Sequence, residues 1–228
     1  MHIATGMMTT PSRLRTADSM AVHLGGRGAI PRLAGSTRGR HPNHLTCLRN
    51  LFDDPRVTHA ALIHDDVVAP RTWRACLDIF VGAFPSTHLI DLATPAHRRI
   101  RDDATHRGFF TATADRLPSD RAFIMSRDLW TGYSSWLLSE RWSAQVNPAH
   151  LDNPAAILSA FMTSRGVSFV GVVPALFTHL GSSSTTSAAR SWRGYDWNAV
   201  TAFDRALTRS AHNEPFGAFM MGLAQPRY

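Results

Sequence analysis

The sequence contains no lysine, so all 24 basic residues among its 228 are arginine. Against 17 acidic residues they give a formal net charge of +7 and a pI near 10.8. Arginine presents a planar fork of donors that suits phosphate oxygens, so this charge favours a nucleotide or nucleic-acid partner. Codon bias in a GC-rich genome is an alternative explanation of the missing lysine, although it does not explain the positive net charge.

Several other features are missing. Two cysteines, Cys47 and Cys76, cannot form a disulfide framework, so a reducing compartment is the default. No apolar run approaches the ~18–20 residues that span a bilayer. The first residues lack a basic segment followed by an apolar one, so we expect no signal peptide and a cytoplasmic protein. The pattern Gly-x-x-x-x-Gly-Lys-Ser/Thr does not occur, which excludes a P-loop.

The chain length and the 44% hydrophobic content predict one large domain with appended pieces. Hydrophobic periodicity predicts alternating strands and helices, hence an α/β fold. The Arg-, His- and Asp-rich stretch 94–120 is predicted to be an irregular excursion. The predicted strands cover 2–8, 21–24, 57–68, 88–92, 122–125 and 167–174, and the predicted helices cover 44–52, 72–84, 129–141 and 155–164.

An apolar run, Ala61-Leu62-Ile63, leads directly into His64, Asp65 and Asp66. This pattern predicts a buried strand whose carboxyl end carries two acids. Open α/β sheets bind ligands at the carboxyl ends of their strands, and paired acids can hold a hard divalent cation. The simpler alternative is that both acids belong to an ordinary turn.

Two basic, hydroxyl-rich stretches could contact phosphate. Thr10, Ser12 and Arg13 follow the first predicted strand, and Arg38 and Arg40 precede a predicted helix that opens at Pro42 or Asn43. A helix start offers free N–H groups and a favourable dipole to an anion. A solvated basic loop before an ordinary helix is the alternative.

Two later residues complete the set of candidates. Asp152 stands before Asn153-Pro154 at a helix start, where either Asp152 or Asn153 could simply cap the helix. His179 follows the strand that ends at Pro174 and could be a core histidine with satisfied hydrogen bonds.

Together these motifs resemble GT-A fold glycosyltransferases. The strand ending in His64-Asp65-Asp66 is similar to their acidic metal motif, and the order Asp152, Gly166, Pro174, His179 resembles the closing part of small bacteriophage enzymes related to the lipopolysaccharide and procollagen sugar-transferase group. The resemblance implies a single GT-A-like domain over 1–184, with a mixed central sheet flanked by helices. The remaining 185–228 form a C-terminal extension rich in Arg and aromatic residues.

The resemblance also implies roles. It implies a nucleotide-sugar donor and a divalent cation, Mn²⁺ or else Mg²⁺, held by Asp66 and His179. A neutral His ligand favours manganese over magnesium. Asp65 would contact the ribose or the metal, and Asp152 would be the carboxylate on the acceptor side, our candidate general base. His64 stands where the family often has an acid. The other predicted donor contacts are Thr10, Ser12, Arg13, Arg38, Arg40 and Asn43.

The acceptor stays open at this point. DNA with a hydroxymethylated base, as in phage genomes and thus in the host cytoplasm, would suit the basic surface and an aromatic tail. A capsid protein or a polysaccharide is an alternative acceptor. Two alternative functions are a metal-dependent phosphohydrolase or nuclease that uses His64, Asp65 and Asp66, and a non-catalytic nucleic-acid-binding protein. The donor sugar, the stereochemical outcome and the oligomeric state are not predicted. The candidate acceptor contacts are Trp192, Arg193, Tyr195 and Trp197.

Overall fold

The computed structural model of the chain describes residues 1–24, 32–34, 39–69, 73–84, 89–93, 108–113, 120–139, 142–173 and 176–179. Within these ranges, seven strands form one mixed sheet and two short strands form a separate ribbon. The strands are β1 (Ile3–Thr9), β2 (Arg32–Ala34), β3 (His59–His64), β4 (Val67–Val68), β5 (Leu89–Asp91), β6 (Gly108–Ala112), β7 (Ala122–Ser126), β8 (Phe169–Val173) and β9 (Thr178–His179).

The sheet order is β2-β1-β3-β7-β5-β8-β6. Strand β1 runs parallel to both β2 and β3, and β5 runs parallel to β8. The pairs β3–β7, β5–β7 and β6–β8 are antiparallel. Strands β4 and β9 pair antiparallel in the separate ribbon.

Within the described ranges, five α-helices cover the sheet on both faces. Buried residues of α1 and α3 form one core with Ala61 and Ile63 of β3, while those of α2, α4 and α5 form a second core with Ala60 and Leu62. Side chains alternate across a strand, so a strand buried on both faces is apolar throughout. The helices are α1 (Leu14–His23), α2 (Arg40–Leu51), α3 (Trp73–Ala83), α4 (Arg127–Leu137) and α5 (Pro154–Arg165).

The predicted α/β fold, with a mixed central sheet flanked by helices, is confirmed. The strand predicted over 21–24 is wrong, because Ala21, Val22 and His23 form the last turn of α1. A run of only four residues can fit both the helical period of about 3.6 residues and the strand period of two. Here Ala21 and Leu24 pack into the core on one side of α1.

The stretch 94–120 is not irregular throughout, because β6 lies inside it. Its register pairs Gly108 with Val173 and Ala112 with Phe169. Helix α4 begins at Arg127, two residues before the predicted start, where the Ser126 hydroxyl accepts a hydrogen bond from the Leu129 N–H. No helix in the described ranges is long and apolar enough to cross a membrane.

Candidate active site

The parallel strands β1 and β3 border a crevice at their carboxyl ends. From β1 the chain passes through α1 to β2 on one side, and then through α2 to β3 on the other side. Because α1 and α2 cover opposite faces of the sheet, the two strands separate here and leave an opening. This is the topological switch point at which open α/β sheets bind ligands. The register pairs Met8 with His64, so Thr9 and Asp65 follow side by side.

Asp65 is held firmly at this crevice and is only 4% exposed. One carboxylate oxygen accepts a hydrogen bond of 2.7 Å from the Thr9 hydroxyl, and the other lies 3.0 Å from the guanidinium of Arg13. Burial raises the pKa of Asp65, whereas the Thr9 hydrogen bond and the Arg13 charge oppose that shift. The structure therefore brings two predicted donor contacts, Arg13 and Asp65, together as an ion pair.

Asp66 is half-buried, whereas Asp65 is buried. It directly precedes β4, whose pairing with β9 places the backbone of His179 opposite Val67. Two residues predicted to share a metal, Asp66 and His179, therefore occupy neighbouring positions in the fold although 113 positions separate them in the numbering. Among the described residues, no group of three or more His, Cys, Asp or Glu side chains is arranged to hold a metal ion.

Helix α2 begins at Arg40, four residues before the predicted start at residue 44. Its first turn is not an open anion site, because a carboxylate oxygen of Asp152 accepts a hydrogen bond of 3.0 Å from the His41 N–H. The preceding Gly39 has φ of +139°, and a Cβ added there would lie 2.5 Å from that same oxygen. Glycine is thus required for Asp152 to reach the helix.

Asp152 does act as a cap, but not of its own helix. The side chain of Asn153 accepts a hydrogen bond from the Ala155 N–H and so caps α5. Asp152, on the exposed side of the same turn, instead stabilises the start of α2. A carboxylate at a helix N-terminus is favoured by the helix dipole.

A buried polar cluster lies behind the crevice, formed by His44, His64, Asp120 and the more exposed Arg40. The His64 N–H donates a hydrogen bond of 2.7 Å to the Arg121 carbonyl, which fixes Asp120 beside the end of β3. A guanidinium nitrogen of Arg40 lies 3.6 Å from a carboxylate oxygen of Asp120. Neither His44 nor Asp120 was predicted as a site residue, because the packing of α2 and the pairing of β3 with β7 bring them together.

The cluster has an unusual charge state. Burial lowers the pKa of His44 to about 3, so that its imidazole is neutral. Both ring nitrogens of His44 and Nε2 of His64 are buried and make no hydrogen bond within the described part of the chain. Burial alone would raise the pKa of Asp120, but electrostatic interactions with neighbouring groups, among them His64 and Arg40, outweigh burial and hold that pKa below its usual value. Asp120 is therefore a buried carboxylate.

The remaining predicted contacts divide into two groups. The Thr10 and Ser12 hydroxyls lie 3.1 Å apart at the surface, and the Asn43 amide donates a hydrogen bond of 2.9 Å to the Thr9 carbonyl. Asn43 thus ties α2 to the end of β1. The other predicted contacts lie outside the described residues: Arg38, Trp192, Arg193, Tyr195 and Trp197.

No protein-family model and no curated protein matches the sequence. Among solved structures, the chain is similar to a mutant of the Drosophila β-1,4-galactosyltransferase 7 in complex with manganese, UDP-Gal and xylobiose. The identity is 10%, the match covers 88% of this chain and 79% of that chain, and the TM-score is 0.48.

Proposed function

We propose that the chain is a glycosyltransferase that moves a sugar from a nucleotide-sugar donor to a hydroxyl acceptor. The observation that carries this proposal is the crevice between β1 and β3, where Thr9 and Arg13 fix Asp65 and leave Asp66 half-buried beside it. A fixed acid next to a more accessible one at a switch point suits a ligand that brings a cation with its phosphates.

The residues present fit a divalent cation shared with a substrate better than a cation held by protein alone. Asp66 offers a carboxylate, and His179 pairs with the following residue, Val67, in the β4–β9 ribbon. Since the described residues hold no three-ligand group, further ligands would come from the donor diphosphate. A carboxylate and an imidazole suit Mn²⁺ better than Mg²⁺. When bound, the cation would neutralise charge on the leaving diphosphate.

Side chains of the protein would stabilise the leaving group and accept the proton of the acceptor. Arg40, with Arg38 before it in the sequence, would stabilise the negative charge that develops on the departing nucleoside diphosphate. Asp152 would accept the proton of the acceptor hydroxyl as general base. Because one Asp152 oxygen bonds to the His41 N–H, the carboxylate is already oriented before an acceptor arrives.

For the acceptor we propose DNA carrying a hydroxymethylated base, modified in the host cytoplasm by a phage-encoded enzyme. The net charge of +7, carried without lysine, supports a polyanionic partner. The extension 185–228, with Trp192, Arg193, Tyr195 and Trp197, is our candidate for the acceptor-binding part. Duplex DNA binding that weakens steeply with salt is expected, and its absence would leave a protein or a polysaccharide as the acceptor.

The first experiment is a thermal-shift screen of nucleoside diphosphates and nucleotide sugars, each with and without Mn²⁺. A ligand that binds only the native state raises the melting temperature, so a Mn²⁺-dependent shift identifies the donor. The second experiment is transfer from that donor by Asp66→Asn. Loss of the cation is expected to lower kcat/KM by on the order of a hundredfold or more.

Asp54→Asn is the matched control, because Asp54 pairs with Arg56 at the surface. It should bind and transfer like the wild type. No shift with any nucleotide, or full activity of folded Asp66→Asn, would overturn the proposal. Hydrolysis of nucleotides at an equal rate without any acceptor would favour a phosphohydrolase instead.

A further inference from the structure

The geometry points to Asp120 as a positioning residue that holds the Arg40 guanidinium at the crevice for the diphosphate of the donor. This inference rests on the proposed function, since it assigns the phosphate contact within that same site. It gives a role to Asp120, the buried carboxylate beside Arg40, which the proposed chemistry does not otherwise use.

Asp120 is placed with precision. The hydrogen bond from the His64 N–H to the Arg121 carbonyl ties the segment before β7 to the last residue of β3. His64 is immediately followed by the fixed Asp65. The carboxylate of Asp120, only 7% exposed, therefore lies directly behind the crevice rather than on an outer surface.

The ion pair between Asp120 and Arg40 is strongly asymmetric. The Arg40 side chain is 41% exposed, whereas that of Asp120 is almost completely buried. A guanidinium has five N–H donors in a rigid fork, so one buried carboxylate can hold one part of it while the rest stays available. In contrast, the pair of Arg56 with Asp54 has exposures of 81% and 35%, as expected of an ordinary surface pair.

The backbone of Arg40 is fixed in α2, and its guanidinium has an ion-pair partner. Its backbone opens α2, where Asp152 bonds to the next N–H and Asn43 bonds to the end of β1. Its guanidinium lies 3.6 Å from the Asp120 carboxylate, at ion-pair distance. A cation that is oriented in advance loses little freedom on binding a phosphate, which raises affinity without a new contact.

The test measures Kd by calorimetry for UDP, GDP, ADP and CDP with Mn²⁺, and for the nucleoside that matches the tightest of them. The proteins are the wild type, Arg40→Gln, Asp120→Asn and the double variant. The control is Asp54→Asn, which breaks an Asp–Arg pair of the same kind away from the crevice. If Asp120→Asn does not fold, Asp120→Glu replaces it, because the extra methylene shifts the carboxylate while keeping its charge.

Arg40→Gln should weaken diphosphate binding about tenfold, as the loss of one charge-assisted hydrogen bond implies. Asp120→Asn should weaken it about threefold or more, and the double variant should be no weaker than Arg40→Gln alone. Nucleoside affinity should stay unchanged in all of them, which a general loss of structure would not produce.

Three results would overturn the inference. Unchanged diphosphate affinity in Arg40→Gln would show that Arg40 is not the phosphate contact. Unchanged affinity in Asp120→Asn beside a weakened Arg40→Gln would show that Arg40 needs no positioning. Additive losses in the double variant would show two independent effects. In each case wild-type diphosphate binding leaves the proposed function standing, whereas a wild type that binds no diphosphate ends both.

Discussion

The starts of helices α2 and α5 are built in opposite ways. At α5, Asn153 caps the helix from the adjacent position and Pro154 occupies its first turn. At α2, Gly39 supplies no side chain, and the cap comes from Asp152, which follows His41 by 111 residues in the sequence. A local cap serves the helix alone, whereas a distant cap also fixes the position of the residue that provides it. The start of α2 is therefore the part of the fold where stability and the candidate site depend on the same contact.

The largest expected effect comes from Gly39→Ala. Its Cβ would lie 2.5 Å from an oxygen of Asp152, at a φ of +139° that L-residues rarely adopt. Backbone strain and a lost cap together should lower the free energy of unfolding by about 2–4 kcal/mol. Transfer activity should fall as well, because Asp152 is displaced. Denaturant unfolding and initial rates measure the two effects.

Gly166→Ala is the matched control, since Gly166 ends α5 with φ of +63° and has nothing within 4 Å of an added Cβ. It should cost about 1 kcal/mol and leave kcat unchanged. Equal losses of stability and activity at the two glycines would mean that the contact with Asp152 has no special importance.

The second effect concerns the Asp152 carboxylate. Asp152→Asn keeps an oxygen that can accept the hydrogen bond from His41, so stability should change by less than about 0.5 kcal/mol. The amide cannot accept a proton, so kcat should fall by about a hundredfold or more if Asp152 is the general base. Wild-type kcat in this variant would leave Asp152 as a helix cap and nothing else.

The difference between a local and a distant cap also decides which helix start can be predicted from the sequence. Asn153-Pro154 and Gly166 are local signals, so the limits of α5 were predicted to within about a turn. The apolar run of β3 and the stripe of α3 were likewise predicted from periodicity. The start of α2 carries no local cap, and its prediction was wrong by four residues.

The candidate site shows the same limit. Their positions after predicted strands led to the prediction of Asp65, Asp66 and Arg13 as site residues. The ion pair between Arg13 and Asp65 was not predicted. Asp120 and His44 were missed because their proximity depends on the pairing of β3 with β7 and on the packing of α2 against β7. Strand β6 was missed for a related reason: Gly108-Phe109-Phe110 lies among charged residues, and only its pairing with β8 makes it a strand.

The third effect is a loss of stability in mild acid that originates at α2. Because the folded-state pKa of His44 is lowered from 6.5 to about 3, the unfolded chain binds a proton more readily than the folded one. Stability is therefore complete above pH 6.5 and falls as the pH drops toward 3, by about 2 kcal/mol at pH 5. The groups around His44 are Asp120, which opposes the shift, and His64, His41 and Arg40, which reinforce it.

Urea unfolding of the wild type and of His44→Leu between pH 7.5 and 5 measures this effect. The variant removes the titrating group, so its stability should vary less with pH. Asp120, whose pKa is also lowered, contributes separately and only below about pH 4. An identical pH dependence in the two proteins would show that His44 is not the source.

The smallest effect should come from Asn153→Ala at α5. Removing the side chain that accepts a hydrogen bond from the Ala155 N–H should lower the free energy of unfolding by about 1 kcal/mol. The neighbouring Asp152 would still be held at the start of α2 by the His41 N–H, so kcat and KM should not change. Unfolding curves and initial rates are measured for Asn153→Ala and Asp152→Asn side by side. They distinguish Asn153, which only caps a helix, from Asp152, which caps a helix and also belongs to the candidate site. A fall in kcat for Asn153→Ala comparable to that for Asp152→Asn would mean that the local cap, not the bond to α2, positions Asp152.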